Sequence, residues 1–196
     1  MIQAKEVIRI PQARVGVVIG KDGEVKKRIE QETNTKITID SEEGNVTVET
    51  TEETEDPLAA WKARDIIMAI ARGFNPKKAF RLLEEDEAIE VIELSDFVGR
   101  SENALNRIRG RLIGENGKTR RIIEELTGGN ISIYGRTVSI IGEFDQLSVA
   151  KETLILLING AQHRTVYRFL HRKSRELKRA RMELWKPRVE VKDQWR

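Results

Sequence analysis

The sequence predicts an α+β chain in which one small unit is used twice, and three observations carry that expectation. The first is an internal repeat. Gly16-Val17-Val18-Ile19-Gly20-Lys21-Asp22-Gly23 recurs 94 positions later as Gly110-Arg111-Leu112-Ile113-Gly114-Glu115-Asn116-Gly117. The second is a pair of short alternating segments in each copy, Ile37 and Ile39 in one and Ile131 and Ile133 in the other, placed after a helical period. The third is size: 196 residues at 39% hydrophobic can bury a real core and make one or two compact domains.

In copy one, Lys5 to Pro11 alternates and reads as a strand. Gln12 to Ile19 is a short helix ended by Gly20, and Glu24 to Glu32 carries Val25 and Ile29 at helical spacing. Lys36 to Asp40 and Asn45 to Thr50 are strands joined by the acidic loop Ser41-Glu42-Glu43-Gly44. Asp56-Pro57 supplies a cap and a first turn for a helix running to Arg72 and ending at Gly73. Asn75-Pro76 repeats that signal for an appended helix that stops at the acidic run Glu84 to Glu87.

Copy two repeats the order. Its strand spans Ala88–Leu94, its helices span 101–113 (capped by Ser101) and 118–127, its strands 130–134 and 136–141 meet at Gly135, and a helix spans 145–159. The repeat offset drops to 87 beyond the hairpin, pairing Ala79-Phe80-Arg81-Leu82-Leu83 with Val166-Tyr167-Arg168-Phe169-Leu170. The expected domains are therefore 1–73, a linker helix over 74–87, a second domain over 88–160, and a basic helix and tail over 161–196. A β-α-α-β-β-α order makes a small, mostly antiparallel sheet with helices on one face.

Composition removes several classes of function. With no cysteine, thiol catalysis, disulfides and cysteine-ligated metals are excluded; two histidines, His163 and His171, lack carboxylates at ligand spacing. No cofactor or metal is expected. No apolar run approaches the roughly 18 residues of a membrane span, and the first residues carry no export signal, so a cytoplasmic protein without a membrane partner is expected. No Ser–His–Asp spacing, P-loop, dinucleotide fingerprint or pair of carboxylates in an apolar setting is present, and the acids lie in hydrophilic runs where nothing raises a carboxylate's pKa, so an enzyme is not expected. Charge is unevenly spread. The net charge is +3, but residues 161–188 hold ten Lys/Arg against two Glu, leaving an acidic body of −5 over 1–160. A basic end on an acidic body points to a polyanion.

Each copy places G-x-x-G between two helices. Two glycines open backbone conformations closed to other residues and hold no side chain against a ligand. The helix that follows presents free amides and the positive end of its dipole, which suits a phosphodiester. One such loop is a common helix–helix turn; two in the same context point to nucleic acid. Here the sequence resembles the KH domain family in its type I arrangement, twice over. The marks are Val18-Ile19-Gly20-Lys21-Asp22-Gly23 followed by Ile29, and Leu112-Ile113-Gly114-Glu115-Asn116-Gly117 followed by Ile123. The tandem spacing and the segment from Gly160 to Leu170 are similar to the archaeal two-KH small-ribosomal-subunit assembly factors.

That resemblance implies single-stranded RNA clamped between the G-x-x-G loop and the strand after the second helix. It also implies binding at the 3′ region of small-subunit rRNA in ribosome assembly or rRNA processing, with an rRNA-processing endonuclease or a translation factor as partner. The expected contacts in copy one are Gly20, Lys21, Asp22 and Gly23, the cations Lys26 and Lys27, and an apolar pair, Val17 with Ile37. In copy two they are Gly114, Glu115, Asn116 and Gly117, the cations Arg107, Arg111, Lys118, Arg120, Arg121 and Arg136, and the pair Leu112 with Ile131. Copy two is the richer in cations. The loop acids Asp22 and Glu115 repel phosphate but can cap the following helix.

Copy one also carries eight acids and no base from Asp40 to Asp56, best read as a solvated hairpin edge. Gln162 to Lys186 reads as an amphipathic helix, with Val166, Leu170, Leu177 and Leu184 on the packing seam and Arg164, Arg168, Arg172, Arg175 and Arg179 opposite. Trp61 is expected in the core or at a helix contact, and Trp185 and Trp195 as partner anchors or tail. Two other readings stay open: a protein–protein adaptor that docks a nuclease or translation factor, and a KH regulator of mRNA.

Overall fold

The computed structural model describes residues 5–52 and 54–184, with side chains through Met182. β1 (Lys5–Arg9) leads to α1 (Gln12–Ile19), a 3-10 turn over Lys21–Gly23, and α2 (Glu24–Thr33). The hairpin β2 (Thr35–Ile39) and β3 (Asn45–Thr50) follows, then α3 (Ala59–Ala71). The chain crosses to copy two through α4 (Pro76–Ala79) and a 3-10 turn over Phe80–Leu83. Copy two is β4 (Glu87–Glu93), α5 (Ser95–Val98), α6 (Glu102–Ile113), a 3-10 turn over Glu115–Gly117, α7 (Lys118–Thr127), β5 (Asn130–Tyr134), β6 (Thr137–Glu143) and α8 (Phe144–Ile158). α9 (His163–Leu184) closes the described chain. The strand orders are β1-β3-β2 and β4-β6-β5, antiparallel throughout.

Each sheet puts one face on its helices. In copy one, Ile37, Val46 and Val48 meet Ile29, Ile66, Ile67 and Ile70; in copy two, Ile131, Val138 and Ile140 meet Leu105, Leu112, Ile123 and Leu154. A fully buried Ile or Leu contributes about 1.5–3 kcal/mol, so these clusters hold the units together. The seam of α9 is Val166, Leu170, Ser174 and Leu177, laid on α7 and α8. Leu184, Trp185 and Trp195 lie outside the described side chains.

Several expectations are corrected. α3 starts at Ala59: Asp56-Pro57 forms the turn before it, where the Leu58 amide donates to Asp56 Oδ1 at 2.8 Å. The appended helix of copy one shrinks to one α turn and one 3-10 turn, because the chain must reach β4 at Glu87. Helix α5 was not foreseen, since four residues carry no periodicity. Ser101 occupies the cap position of α6 without a side-chain bond, whereas α8 has a reciprocal capping box between Glu143 and Gln146. Trp61 is not core: it is 53% exposed and donates its indole N–H to Glu6 at 3.1 Å.

The two sheets also differ. β3 alternates between buried and half-buried residues, as a one-faced sheet should, yet β6 is buried at every position from Thr137 to Gly142. Copy one covers the outer face of the second sheet. Ser132 Oγ donates to the Arg72 carbonyl at 2.9 Å, the Arg14 guanidinium lies 5.5 Å from the Tyr134 ring, and Ile141 of β6 belongs to the copy-one core. Lys78 reaches Glu124 at 3.4 Å and Arg81 donates to the Gly128 carbonyl at 3.4 Å. The units therefore share a packed interface.

Candidate nucleic-acid interface

Both loops take the same backbone path. Gly20 and Gly114 sit at φ 76°, ψ 177° and φ 71°, ψ 175°, a region essentially reserved for glycine. Asp22 and Asn116 are left-handed at φ 54° and 50°, as are Gly23 and Gly117 at φ 77° and 76°. The two glycines of each loop do different jobs. A Cβ on Gly20 would stand 2.5 Å from Val25 Cγ2, and one on Gly114 would stand 2.2 Å from Thr119 Oγ1, so each first glycine lets two helices meet. Around Gly117 there is open space, and at Gly23 only Lys27 Cε comes within contact, at 3.7 Å. The second glycine thus leaves the loop surface bare.

Neither α2 nor α7 receives a side-chain cap, which corrects the capping role expected of Asp22 and Glu115. Their carboxylates sit on exposed loop residues, while the first amides of each helix lack a side-chain acceptor. The first amide of each helix is taken within the turn, Glu24 by the Lys21 carbonyl and Lys118 by the Glu115 carbonyl, so what the loop offers an anion is its bare glycine and the positive end of the helix that follows. Lys27 Nζ donates to the Asp22 carbonyl at 3.4 Å, and the equivalent Arg121 donates to the Asn116 carbonyl at 3.3 Å, so each copy ties one cation to its loop.

A second device is shared. Glu30 accepts from the Ile37 amide at 2.8 Å and Glu124 from the Ile131 amide at 2.9 Å, which satisfies the outward N–H of each edge strand from the neighbouring helix. Lys26 and Arg120 lie 3.8 and 3.7 Å from those carboxylates. In copy two Lys78, carried in from copy one, joins the same cluster.

Residues 5–68 match the KH domain family, and residues 88–175 match the family described as eukaryotic type KH-domain (KH-domain type I). The chain is 50% identical over 186 residues to the KH domain-containing protein MJ0443 of Methanocaldococcus jannaschii, spanning 95% of this chain and 81% of that one. The chain belongs to the KH-domain family. Its two KH units also resemble Dim2p from Pyrococcus horikoshii OT3, at 53% identity and a TM-score of 0.82 over 86% of this chain and 99% of that one. A chain of the a/eIF2α–aDim2p–rRNA complex from the same organism aligns at 52% identity and a TM-score of 0.85, over 89% and 96% of the two chains. A protein of unknown function from Aeropyrum pernix, APE0754, aligns at 43% identity and a TM-score of 0.90, over 94% and 98%.

Seen on this KH scaffold, the expected site residues divide into three groups. Lys21, Lys27, Arg107, Lys118, Arg120 and Arg121 are exposed on the loops and their flanking helices. Lys26 is half-buried against Glu30, and Arg136 is drawn to Glu102 at 3.1 Å. Arg111 is structural: its guanidinium donates to the carbonyls of Leu157 at 3.2 Å and Ala161 at 2.6 Å, closing the end of α8. In the first KH unit Arg14 does the same for the equivalent carbonyls of Ile70 and Phe74, both at 2.9 Å, from a position one helical turn earlier in the repeat.

The expected apolar lining is corrected by burial. Ile37, Leu112 and Ile131 are at most 3% exposed and belong to the cores, and Val17 is half-buried. The pattern that marks a residue as apolar on a helix or strand does not tell core from cleft. The apolar side chain open beside the second loop is Ile113, 38% exposed. Sequence reasoning also missed His163 and Tyr167, which line one cleft with Arg107, Gly114, Glu115 and Lys118. Tyr167 Oη lies 3.0 Å from Thr119 Oγ1, and His163 Nε2 lies 3.1 Å from the Arg111 carbonyl. The repeat held the signal: Tyr167 matches Phe80, whose ring packs on Arg28 of α2 at 4.3 Å.

Among the described residues, no group of three His, Asp or Glu could hold a metal, and no helix is long and apolar enough to cross a membrane.

Proposed function

We propose that the protein binds single-stranded RNA through its two G-x-x-G loops, with the second KH unit as the principal site. The RNA is the 3′ region of small-subunit rRNA, and the setting is cytoplasmic ribosome assembly. The observation that carries this reading is the matched geometry of the two loops, each a bare glycine surface at an uncapped helix end. The relative from Pyrococcus horikoshii, crystallised with rRNA and a/eIF2α, supports both the RNA and a translation factor as protein partner. An rRNA-processing endonuclease is the further partner in this proposal. Loop amides and cations position phosphates; the edge strands and Ile113 meet bases. No step requires a cofactor or bond chemistry from the chain, which acts as a binding platform.

The test is binding of fluorescent RNAs, the rRNA 3′-terminal sequence and a scrambled control, across a salt series. The informative variant is Asn116→Asp/Lys118→Asp. Aspartate already holds the matching left-handed position in copy one, and an acid at the start of α7 suits the helix dipole, so the fold survives. Three units of charge change beside phosphates, each worth about 1 kcal/mol at roughly 4 Å in water, predict a loss of at least 30-fold. Wild-type affinity in this variant, or equal affinity for the scrambled strand, would refute the reading.

A further inference from the structure

Most basic side chains of the body are neutralised. Lys5, Lys62, Arg64, Arg72, Lys78 and Lys151 each reach a carboxylate, and Arg14 and Arg111 are taken up by helix-end carbonyls, while on α9 itself Arg181 reaches Glu143. The exposed face of α9 breaks this pattern. Among the described residues, the guanidinium groups of Arg164, Arg168, Arg175 and Arg179 make no ion pair or hydrogen bond, and Arg172 only covers the Phe169 ring at 5.8 Å. Among the described side chains one acid shares the face, Glu176, and it is taken by Lys173 at 3.2 Å. An aligned row of unpaired guanidiniums repels itself, so its sequence is explained by a polyanion that neutralises it.

Where the row starts decides which polyanion. The first two turns of α9 supply His163 and Tyr167 to the cleft that also holds Gly114 and Lys118, and Tyr167 touches Thr119 directly. Arg107 and Lys118 in that cleft are likewise unpaired among the described residues. The basic face therefore begins at the second loop and leads away from it. From Arg164 to Arg179 the helix rises about 22 Å, which matches about six nucleotides at the roughly 3.4 Å rise of a stacked strand.

We infer that α9 is a phosphate track continuous with the second G-x-x-G loop, so that the strand held there continues single-stranded along the helix for about six more nucleotides. This rests on the loop reading above and adds a footprint to it: a KH clamp alone holds about four nucleotides, whereas this one holds about ten. Arginine suits the task because its planar fork contacts phosphate without needing a groove.

The experiment uses the full chain carrying Lys21→Asp to weaken the first loop. It compares four-nucleotide RNA, ten-nucleotide RNA, and the four-nucleotide strand extended only by duplex. The expected result is that the ten-nucleotide strand binds at least tenfold tighter than the four. Adding Arg168→Gln/Arg175→Gln/Arg179→Gln should erase that gain, lower the slope of log affinity on log salt by about 2, and leave the four-nucleotide affinity within twofold. Among the described residues these side chains hold nothing in the fold, so melting should not change. A ten-nucleotide strand no tighter than the four overturns the track, as does a gain that survives the triple variant or appears only with duplex. If the four-nucleotide strand binds and Asn116→Asp/Lys118→Asp abolishes it, such a failure belongs to the track alone. If that loop variant changes nothing, the loop reading falls and takes the track with it.

Discussion

Replacing Gly114 by alanine and Gly117 by asparagine should have effects of very different size, although both are glycines of one loop. At Gly114 two costs combine. The conformation at φ 71°, ψ 175° is essentially closed to any other residue, at about 1–3 kcal/mol. The new Cβ would also stand 2.2 Å from Thr119 Oγ1 and 2.8 Å from the Thr119 amide nitrogen, and relieving such overpacking costs about another 1–3 kcal/mol. Their sum, about 4 kcal/mol, lowers Tm by roughly 8–16 °C in a chain of this size. At Gly117 nothing stands within 4 Å, and the left-handed φ of 76° is one that asparagine tolerates. The cost there is about 0.5 kcal/mol, near the detection limit of a thermal scan. Urea and thermal melts of the two variants measure the contrast directly. Because part of the Gly114 clash is with the Thr119 side chain and part with its backbone, Thr119→Ala should restore only some of the loss. Equal destabilisation by the two substitutions, or full rescue by Thr119→Ala, would refute the division of labour between the glycines.

Arg111→Lys should destabilise almost as much as Arg111→Ala, by about 2–3 kcal/mol in chemical melts, because a single ammonium cannot serve the two carbonyls that the guanidinium fork bridges. Gly73→Ala should loosen the two units, since at φ 98° its Cβ would meet Ser132 Oγ and Tyr134 Cβ at 2.8 Å; calorimetry should show the single transition of the shared interface broaden or split, while each unit keeps its helical signal. The Asp56 carboxyl is held below its ordinary pKa by the Leu58 amide first and by Lys62 second. The stability it adds is present above the unfolded carboxylate pKa, near 4, and is lost as pH falls through the lowered folded value. Asp56→Asn should therefore melt slightly lower than wild type at pH 7, by a degree or two given its exposure, and the difference should vanish once the pH falls below the carboxyl's lowered pKa.

Much of this molecule was legible from the chain itself because its information is local and duplicated. The period of Val25 and Ile29, the alternation of Ile37 and Ile39, and the recurrence of both at a fixed offset specify elements whose hydrogen bonds close within a few residues or across one hairpin. The loop glycines were legible for the same reason, since positive φ is a property of the residue and its immediate neighbours. The amphipathic face of α9 belongs with them: a helix with five arginines on one side must present them together.

What only the tertiary structure decided is where these local pieces meet. Ile37, Leu112 and Ile131 carry the signature of a buried face, and only packing shows that the face is core rather than an open cleft. Arg111 and Arg107 look alike in sequence, yet one lies within reach of the α8 carbonyls and the other faces outward. His163 and Tyr167 are some 50 residues from the second loop and reach it because the apolar seam of α9 docks on α7 and α8. The outer face of the second sheet is covered while that of the first is not, although the strands repeat, because only one of them receives the end of its neighbour's helix. Such partnerships depend on burial and on contacts between segments far apart, and no window of sequence holds both sides of them.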